Sequence, residues 1–377
     1  EIPLRLVGSE MCIRDRINPT IKVMNIEELR TKIDKIDSEI LKLLNDRMDV
    51  VHEIGVIKSA SNESVYRPER EKEIIDRLVQ LSEGRMKVSS IKPIFQEIFA
   101  AARNIELPER IAFLGPEGSF THQAAESNFG SSGKYLSLNS ISSVFDSVQK
   151  KQSKYGIIPL ENNQEGIVQE TVDLLGSSQL KIIAELPMSI SLSFSTRADD
   201  VKKVRKIYSK DIAFKQCKDF IENYFDEKVE LIPVNSTSAA VKFADSNADS
   251  AAICSRFAAV QRNVPILFDN IEDSKNNHTR FVVLSLLENK VKSKNDKTSI
   301  LVNLTDGHGV LAKFLQEFHD AKINLTKLES RPAKKGVDFK YIFYIDFEGH
   351  YLDSNFQIIY KRYQDNIKLL GSYPRMI

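Results

Sequence analysis

Cysteine is scarce in this chain. Cys12, Cys217 and Cys254 are the three, and none stands in a CxxC or beside a histidine cluster. Zinc sites and disulfide frameworks need clustered or paired cysteines, so neither is indicated. An excess of either charge is also missing. Lys and Arg total 53 against 52 Asp and Glu, a net of +1, which leaves no electrostatic footprint for nucleic acid. No apolar run reaches the length of a membrane span, and no charged-apolar-small signal peptide opens the chain. The expectation is a soluble cytoplasmic protein with no membrane or nucleic-acid partner. What the sequence does have is length and apolar content: 377 residues predict two or three domains, and a 42% hydrophobic share is ample for their cores.

The first 23 residues stand apart. Glu1 to Arg16 shows no period and no helix cap, and Met24 is a plausible native start. The run from Val7 to Arg16 reads as a stray translated stretch or as a disordered tail, and 1–23 is left out of the expected fold.

From Met24 the pattern is helical. Ile26, Leu29, Ile33, Ile36, Ile40 and Leu43 alternate spacings of three and four, a heptad seam that Val50, Ile54 and Ile57 continue. A helix to about Ser59 would span about 50 Å at 1.5 Å per residue, too long for one small domain without a partner to pack along. Arg47 occupies a seam position, where a guanidinium is a register device, a snorkelling side chain or the partner of an anion. Lys58 lies within about 20° of Arg47 on the same face, and Arg30 sits off it. A second helix opens at Arg67-Pro68, with proline suited to a first turn. A third carries Ile91, Ile94, Phe95, Ile98 and Phe99 and ends near Glu106.

Leu29-Arg30, Asp46-Arg47, Gly55-x-x-Lys58 and Arg70-Glu71 resemble the all-helical chorismate mutase domain. The resemblance implies two chains interlocked along the long helix. By position, Arg30 would be lent across the dimer, while Arg47, Lys58, Arg70, Glu71 and Glu106 belong to the receiving site. The reaction is a pericyclic rearrangement, so catalysis means holding a reactive conformer of a dicarboxylate and stabilising charge on its ether oxygen. The arginines would clamp carboxylates, Lys58 and Glu106 would face the ether oxygen, and Glu71 would bind a hydroxyl. Glu106 falls where many relatives carry glutamine. Arg67 and Ala102 depart from the acidic residue and serine of some members, and both are counted with the substrate-binding positions.

Composition changes at Leu107-Pro108. Ile111 to Leu114 reads as a buried strand, followed by Gly115-Pro116-Glu117-Gly118-Ser119-Phe120-Thr121 and a helix. Strand, Gly-rich turn and helix make either an ordinary βα turn or an anion site at the helix start. Strands and helices alternate onward, so the class is α/β. Near its end comes Asn276-Asn277-His278-Thr279-Arg280-Phe281, an Asx/ST turn entering a strand, or a hydroxyl and a guanidinium presented to a cleft.

The ordered set GPEGSF, PLENNQEG, STSAA and NHTRF resembles prephenate dehydratases from about 108 to 287. This implies two similar lobes facing a cleft, a periplasmic-binding-protein-like α/β domain. Thr279 matches the family's essential threonine and Arg280 its carboxylate partner, with Ser119, Thr121 and Asn162 as cleft donors. Hydroxide leaves poorly, so the site must donate a proton or a strong hydrogen bond. Asn163 and Ser119 depart from the family's small hydroxyl residue and threonine, and Lys210-Asp211-Ile212 follows Ser209 where the family is more regular.

Glu288 to Lys297 is charged and apolar-poor, which suits a linker. Strand 298–304, a helix from Gly309, and strands at 325–330 and 341–347 predict an antiparallel sheet with helices on one face. It resembles an α+β ACT domain. Gly309-Val310-Leu311-Ala312 and Glu329-Ser330-Arg331-Pro332 match the phenylalanine-binding motifs of such domains, with His308 in place of a usual proline.

The expected layout is a helical domain over 24–106, a dehydratase domain over 107–287, a linker over 288–297 and a regulatory domain over 298–377. It implies a bifunctional enzyme of phenylalanine synthesis. Chorismate and prephenate would be substrates and L-phenylalanine the inhibitor, in a homodimer or larger assembly with no metal or organic cofactor. The rivals are a non-catalytic sensor and a monofunctional dehydratase with a decayed helical domain.

Overall fold

The computed structural model describes residues 25–61, 66–106, 109–225, 229–305, 307–332 and 341–375, with only the backbone described at 58–61. The 1–23 segment lies outside them. The chain divides into two compact units, and the division falls between Ile54 and Gly55, inside the first helix.

That helix is α1 (Ile26–Ser61). The seam marked by its sequence faces outward: Ile26, Leu29, Ile33, Ile36, Ile40 and Leu43 are 46–66% exposed. The larger unit begins with the end of α1, then α2 (Pro68–Leu81) and α3 (Val88–Glu106). Pro68 sits in the first turn of α2, where a missing N–H breaks no intrahelical bond. Ile91 and Phe99 turn the apolar side of α3 inward.

Two lobes follow. The first holds β1 (Arg110–Leu114), α4 (Phe120–Phe129), β2 (Lys134–Leu138), α5 (Ile141–Gln149), β3 (Tyr155–Asn162), β4 (Gly166–Ile167), α6 (Gln169–Ser177) and β5 (Lys181–Ser189). The second holds β6 (Ser193–Thr196), β7 (Lys206–Ser209), α7 (Asp211–Gln216), α8 (Lys218–Tyr224), β8 (Glu230–Pro233), α9 (Thr237–Ser246), β9 (Ser250–Cys254), α10 (Arg256–Gln261) and β10 (Ile266–Asp269). Then β11 (His278–Ser285) returns to the first sheet and inserts between β3 and β5, antiparallel to both. The sheets run β2-β1-β3-β11-β5, with β4 beside β3, and β10-β6-β9-β7-β8. Phe281 to Ser285 are all buried, as the apolar run of a central strand requires. Cys217 and Cys254 lie in the second lobe. Burial pushes both thiols up, Cys254 to about 12, so they serve as packing residues.

The C-terminal module is β12 (Asp296–Asn303), α11 (Val310–Asp320), β13 (Leu325–Pro332), β14 (Tyr341–Glu348), α12 (Ser354–Arg362) and β15 (Ile367–Pro374). Its antiparallel sheet runs β13-β14-β12-β15. The strand period of two divides its side chains. Ile300 and Val302 pack under the helices with Phe314, Phe318, Phe356 and Ile359. Leu301, Tyr344, Leu370 and Tyr373 point the other way and share a core with Ala112, Val282 and Leu284 of the first lobe. Asp296 and Lys297, at the end of the expected linker, already belong to β12. No helix among the described residues is long and apolar enough to cross a membrane.

At Gly371, β15 crosses β5 with no room for a side chain. A Cβ there would lie 2.0 Å from the carbonyl oxygen of Ile182. Backbone cannot yield as a flexible side chain can, so Gly371→Ala should destabilise the larger unit by about 3 kcal/mol or more. Its thermal midpoint should fall while the α-helical circular dichroism at low temperature is kept. An unchanged midpoint would mean the two strands separate at little cost.

Candidate active site

The site grows out of one register. In the β3–β11 pair, Thr279 lies opposite Asn162 and Arg280 opposite Glu161, and a β-bulge shifts the pairing just after Arg280. Alternation along each strand then sends Asn162 and Thr279 to one face of the sheet and Glu161 and Arg280 to the other.

On the first face the Asn162 amide has no freedom. Its Oδ1 accepts from the backbone N–H groups of Gln164 (2.8 Å) and Glu165 (3.0 Å), an Asx turn closing the β3–β4 hairpin. Its Nδ2 must therefore be the donor, and it donates to Asn277 Oδ1 at 2.8 Å and to Thr279 Oγ1 at 2.9 Å. Thr279 is buried, 8% exposed. Oγ1 accepts from the amide, so the Thr279 O–H remains available to donate. Next to them, Asn163 Oδ1 accepts from His278 N–H at 2.9 Å, and its Nδ2 donates to the carbonyl oxygen of Asn276. The residue that departs from the family pattern thus fastens the start of β11.

The Gly-rich loop before α4 approaches the second lobe. Gly118 has a left-handed φ of +77°, and an added Cβ would meet Ser238 and Gln261 at 3.2 Å and Ala258 at 3.4 Å. Ser255 Oγ donates to Gly118 O at 3.4 Å. Gln164, on the hairpin beside Asn162, accepts from Gln216 Nε2 of the second lobe at 3.0 Å. Ser119 caps α4: its hydroxyl accepts from His122 N–H and donates to Leu114 O, each at 3.2 Å. Thr121 is buried in the first turn. His122 stacks on Phe113 at 4.5 Å between centroids and accepts from Gly118 N–H through Nδ1 at 3.1 Å. Its proton is therefore on Nε2, which faces Glu126 at 3.4 Å.

On the second face Arg280 is already engaged. Its guanidinium lies 2.9 Å from Glu161, 2.7 Å from Asp346 and 3.5 Å from Glu185. Two of its nitrogens thus donate to protein carboxylates, while its buried Nε has no hydrogen-bond partner among the described residues. The alternation of β11 explains this, since it turns Arg280 away from the face Thr279 shares with Asn162.

Among families, the model described as prephenate dehydratase matches residues 111–289, and that of chorismate mutase type II matches 29–107. A bifunctional chorismate mutase/prephenate dehydratase of Aquifex aeolicus is 38% identical over 93% of this chain and 98% of its own length. One of Neisseria gonorrhoeae is 35% identical over 92% and 96%. The chain belongs to the bifunctional chorismate mutase/prephenate dehydratase family. Among solved structures, a prephenate dehydratase from Arthrobacter aurescens in complex with L-Phe is 26% identical, with a TM-score of 0.64 over 71% of this chain and 90% of that one.

In the mutase region the expected site residues fall on both units. In the first, Arg30 is exposed and paired with Glu27 at 2.8 Å, and Arg47 is half-buried. In the larger unit, Arg67 immediately precedes α2, Arg70 is exposed and pairs with Glu73 at 3.2 Å, and Ala102 is buried. Glu106 lies against Gly55, whose Cβ position is 3.0 Å from Glu106 Cγ. The Lys58 side chain is outside the described residues. Glu71, expected to bind a hydroxyl, pairs with Arg103. Arg103, which sequence reasoning missed, also donates to Asn128 O at 2.9 Å and lies 5.4 Å from the centroid of the Tyr66 ring and 5.2 Å from that of Phe129. It joins α3 to the end of α4.

In the C-terminal module, Gly309 takes a left-handed φ of +73° just before α11, and Val310 and Leu311 pack against the module core. Glu329, Ser330, Arg331 and Pro332 lie on β13. Arg331 is buried and donates to Gln169 O of α6 at 2.9 Å.

Burial lowers the pKa of His122, against a smaller raising effect of Glu117. A lowered histidine stays neutral in the folded chain while the unfolded chain takes up a proton near pH 6.5. Stability should therefore fall as pH drops below about 6.5. His122→Gln, which keeps an acceptor for Gly118 N–H, should reduce that loss, read as urea midpoints at pH 7.5 and pH 5.5. Equal losses in both proteins would remove His122 from the acid response.

Proposed function

We propose that the helical region, 24–106, rearranges chorismate to prephenate and that the two-lobed domain, 107–287, converts prephenate to phenylpyruvate with loss of carbon dioxide and the ring hydroxyl. The observation that carries the second step is the Asn162–Thr279 hydrogen bond. Asn162 occupies the acceptor side of the Thr279 hydroxyl, so the O–H is directed at whatever enters the cleft. Placed at the departing hydroxyl, it supplies the hydrogen bond that makes a poor leaving group leave. Ser119 and Thr121, at the start of α4, would orient the substrate.

For the first step, Arg47, Lys58, Arg67, Arg70, Glu71, Ala102 and Glu106 would form the receiving site and Arg30 of a second copy would complete it. The exposed seam of α1 supports this, because apolar residues at heptad spacing are stable in water when another helix covers them. The C-terminal module, 298–377, is read as an ACT domain that binds L-phenylalanine near Gly309–Leu311 and Glu329–Pro332. Its βαββαβ order supports that reading, as does the complex that the Arthrobacter prephenate dehydratase forms with L-Phe.

Thr279→Val keeps the shape and removes the hydroxyl. Phenylpyruvate formation should fall by about a hundredfold or more, with mutase turnover intact. Asn162→Asp should lower it by a similar factor, because an ionised carboxylate accepts the Thr279 proton and turns the donor inward. Dehydratase rates at wild-type level in either variant would remove that residue from the mechanism.

Glu106→Gln supplies a donor at every pH, whereas an ionised carboxylate cannot donate to the ether oxygen. At neutral pH, mutase turnover should be several-fold higher in the variant than in the wild type. Equal rates would place Glu106 outside the site.

A further inference from the structure

The face of the first sheet opposite Thr279 carries a charge cluster that neither proposed reaction uses. Arg280 binds Glu161 and Asp346 and lies near Glu185. Lys297 of β12 binds Glu185 at 2.7 Å, and Lys327 of β13 binds Glu161. Three carboxylates face three cations. Glu185 and Asp346 are nearly inaccessible, at 2% and 1% exposure of their side chains, and Arg280 is at 13%. The second oxygen of Asp346 accepts from Ser299 Oγ at 2.6 Å, and that hydroxyl is bonded in turn to Tyr373 at 2.7 Å and Tyr344 at 3.1 Å. Glu161, Glu185 and Arg280 come from the first lobe; Lys297, Lys327 and Asp346 come from the C-terminal module.

We propose that the Glu161–Arg280 pair is the element through which the C-terminal module sets the geometry of the Asn162–Thr279 pair, so that Arg280 is a positioning residue and does not bind a substrate carboxylate. Chain continuity makes the coupling short. Glu161 is bonded to Asn162 and Arg280 to Thr279, so backbone displacement at one is displacement at the next, about 3.3 Å along the strand. The grip on the module side is strand β13. Lys327 holds Glu161, and Arg331, four residues on, holds the carbonyl of Gln169 at the start of α6. Glu329 and Ser330 lie between these two anchors. Whatever shifts that segment pulls on β3 and α6 together.

Burial makes such a link stiff. An exposed ion pair gives way at little cost. A buried one cannot lose a partner without leaving a charge unpaired in a poor solvent. The cluster therefore moves as a body or changes partners in a discrete step, as a switch between two arrangements requires.

This inference rests on the reading of the module as a phenylalanine sensor. The test uses the full chain and measures phenylalanine binding by calorimetry, dehydratase turnover with and without saturating phenylalanine, and mutase turnover as a check on folding. Lys327→Met and Lys297→Met remove module-side cations. Both should bind phenylalanine within about threefold of wild type yet keep at least about fivefold more dehydratase turnover at saturation. Arg280→Lys keeps the charge and loses the fork. It should lower kcat about tenfold with KM for prephenate within about threefold. Full inhibition in both lysine variants, or loss of phenylalanine binding in both, would overturn the coupling. A KM raised about tenfold with kcat retained in Arg280→Lys would put Arg280 on the substrate and overturn the positioning role. A wild-type protein that neither binds nor responds to phenylalanine would end the sensor reading and, with it, the coupling; the Arg280→Lys kinetics would then still decide the positioning role.

Discussion

The antiparallel pairing of β3 with β11 is the constraint on which the rest depends. It brings together residues more than a hundred positions apart, and its register places Asn162 across from Thr279 and Glu161 across from Arg280. One residue of slip would exchange the two faces. Several features hold that register. Asn163 bonds the backbone on either side of Asn277, β5 pairs along the other edge of β11, and Phe281 to Leu284 are buried. The second lobe is the excursion the chain makes between β5 and β11, so the two lobes are joined by two strands of the first sheet.

Within the larger unit, neither the C-terminal module nor the α2–α3 pair is a loose attachment to the first lobe. Apart from edge strand β13, where Leu328 is 43% exposed, the module's sheet is covered on both faces. One side is covered by its own helices, and the other supplies Leu301, Tyr344, Leu370 and Tyr373 to the first lobe's core. Polar residues at that boundary are paired: Arg280 with Asp346, Lys297 with Glu185, and Arg331 with the Gln169 carbonyl. On the other flank, Arg103 ties Glu71 of α2 to the end of α4, beneath the rings of Tyr66 and Phe129. Charged groups at such boundaries are costly unless matched, so they fix which surfaces can meet.

Local pattern made much of the fold legible in advance. The heptad spacing of α1, the proline at the start of α2, the apolar run of β11 and the glycine before α11 are statements about neighbours in the chain, and the physics behind them acts over a few residues. The motif stretches were legible for the same reason. Less visible were α12 and β15, which complete the module. The span Asp296-Lys297 has the composition of a linker, yet Lys297 is matched by Glu185, 112 residues away, while Asp296 accepts from Ser293 close by. Adjacency to Thr279 does not show that the Arg280 side chain lies on the opposite face, against Glu161 and Asp346; alternation along β11 does.

The sequence by itself determined the helical, α/β and α+β order of the chain, the family it belongs to, and the residues that can donate, accept or carry charge. These follow from side-chain chemistry and short-range backbone preference. Tertiary structure decided direction and company: that the Thr279 hydroxyl accepts from Asn162, that Glu71 meets Arg103, and that Arg280 faces the C-terminal module. Those outcomes depend on strand register and on groups brought together from 32 to 119 residues apart. A local sequence window has no information about which distant group will arrive.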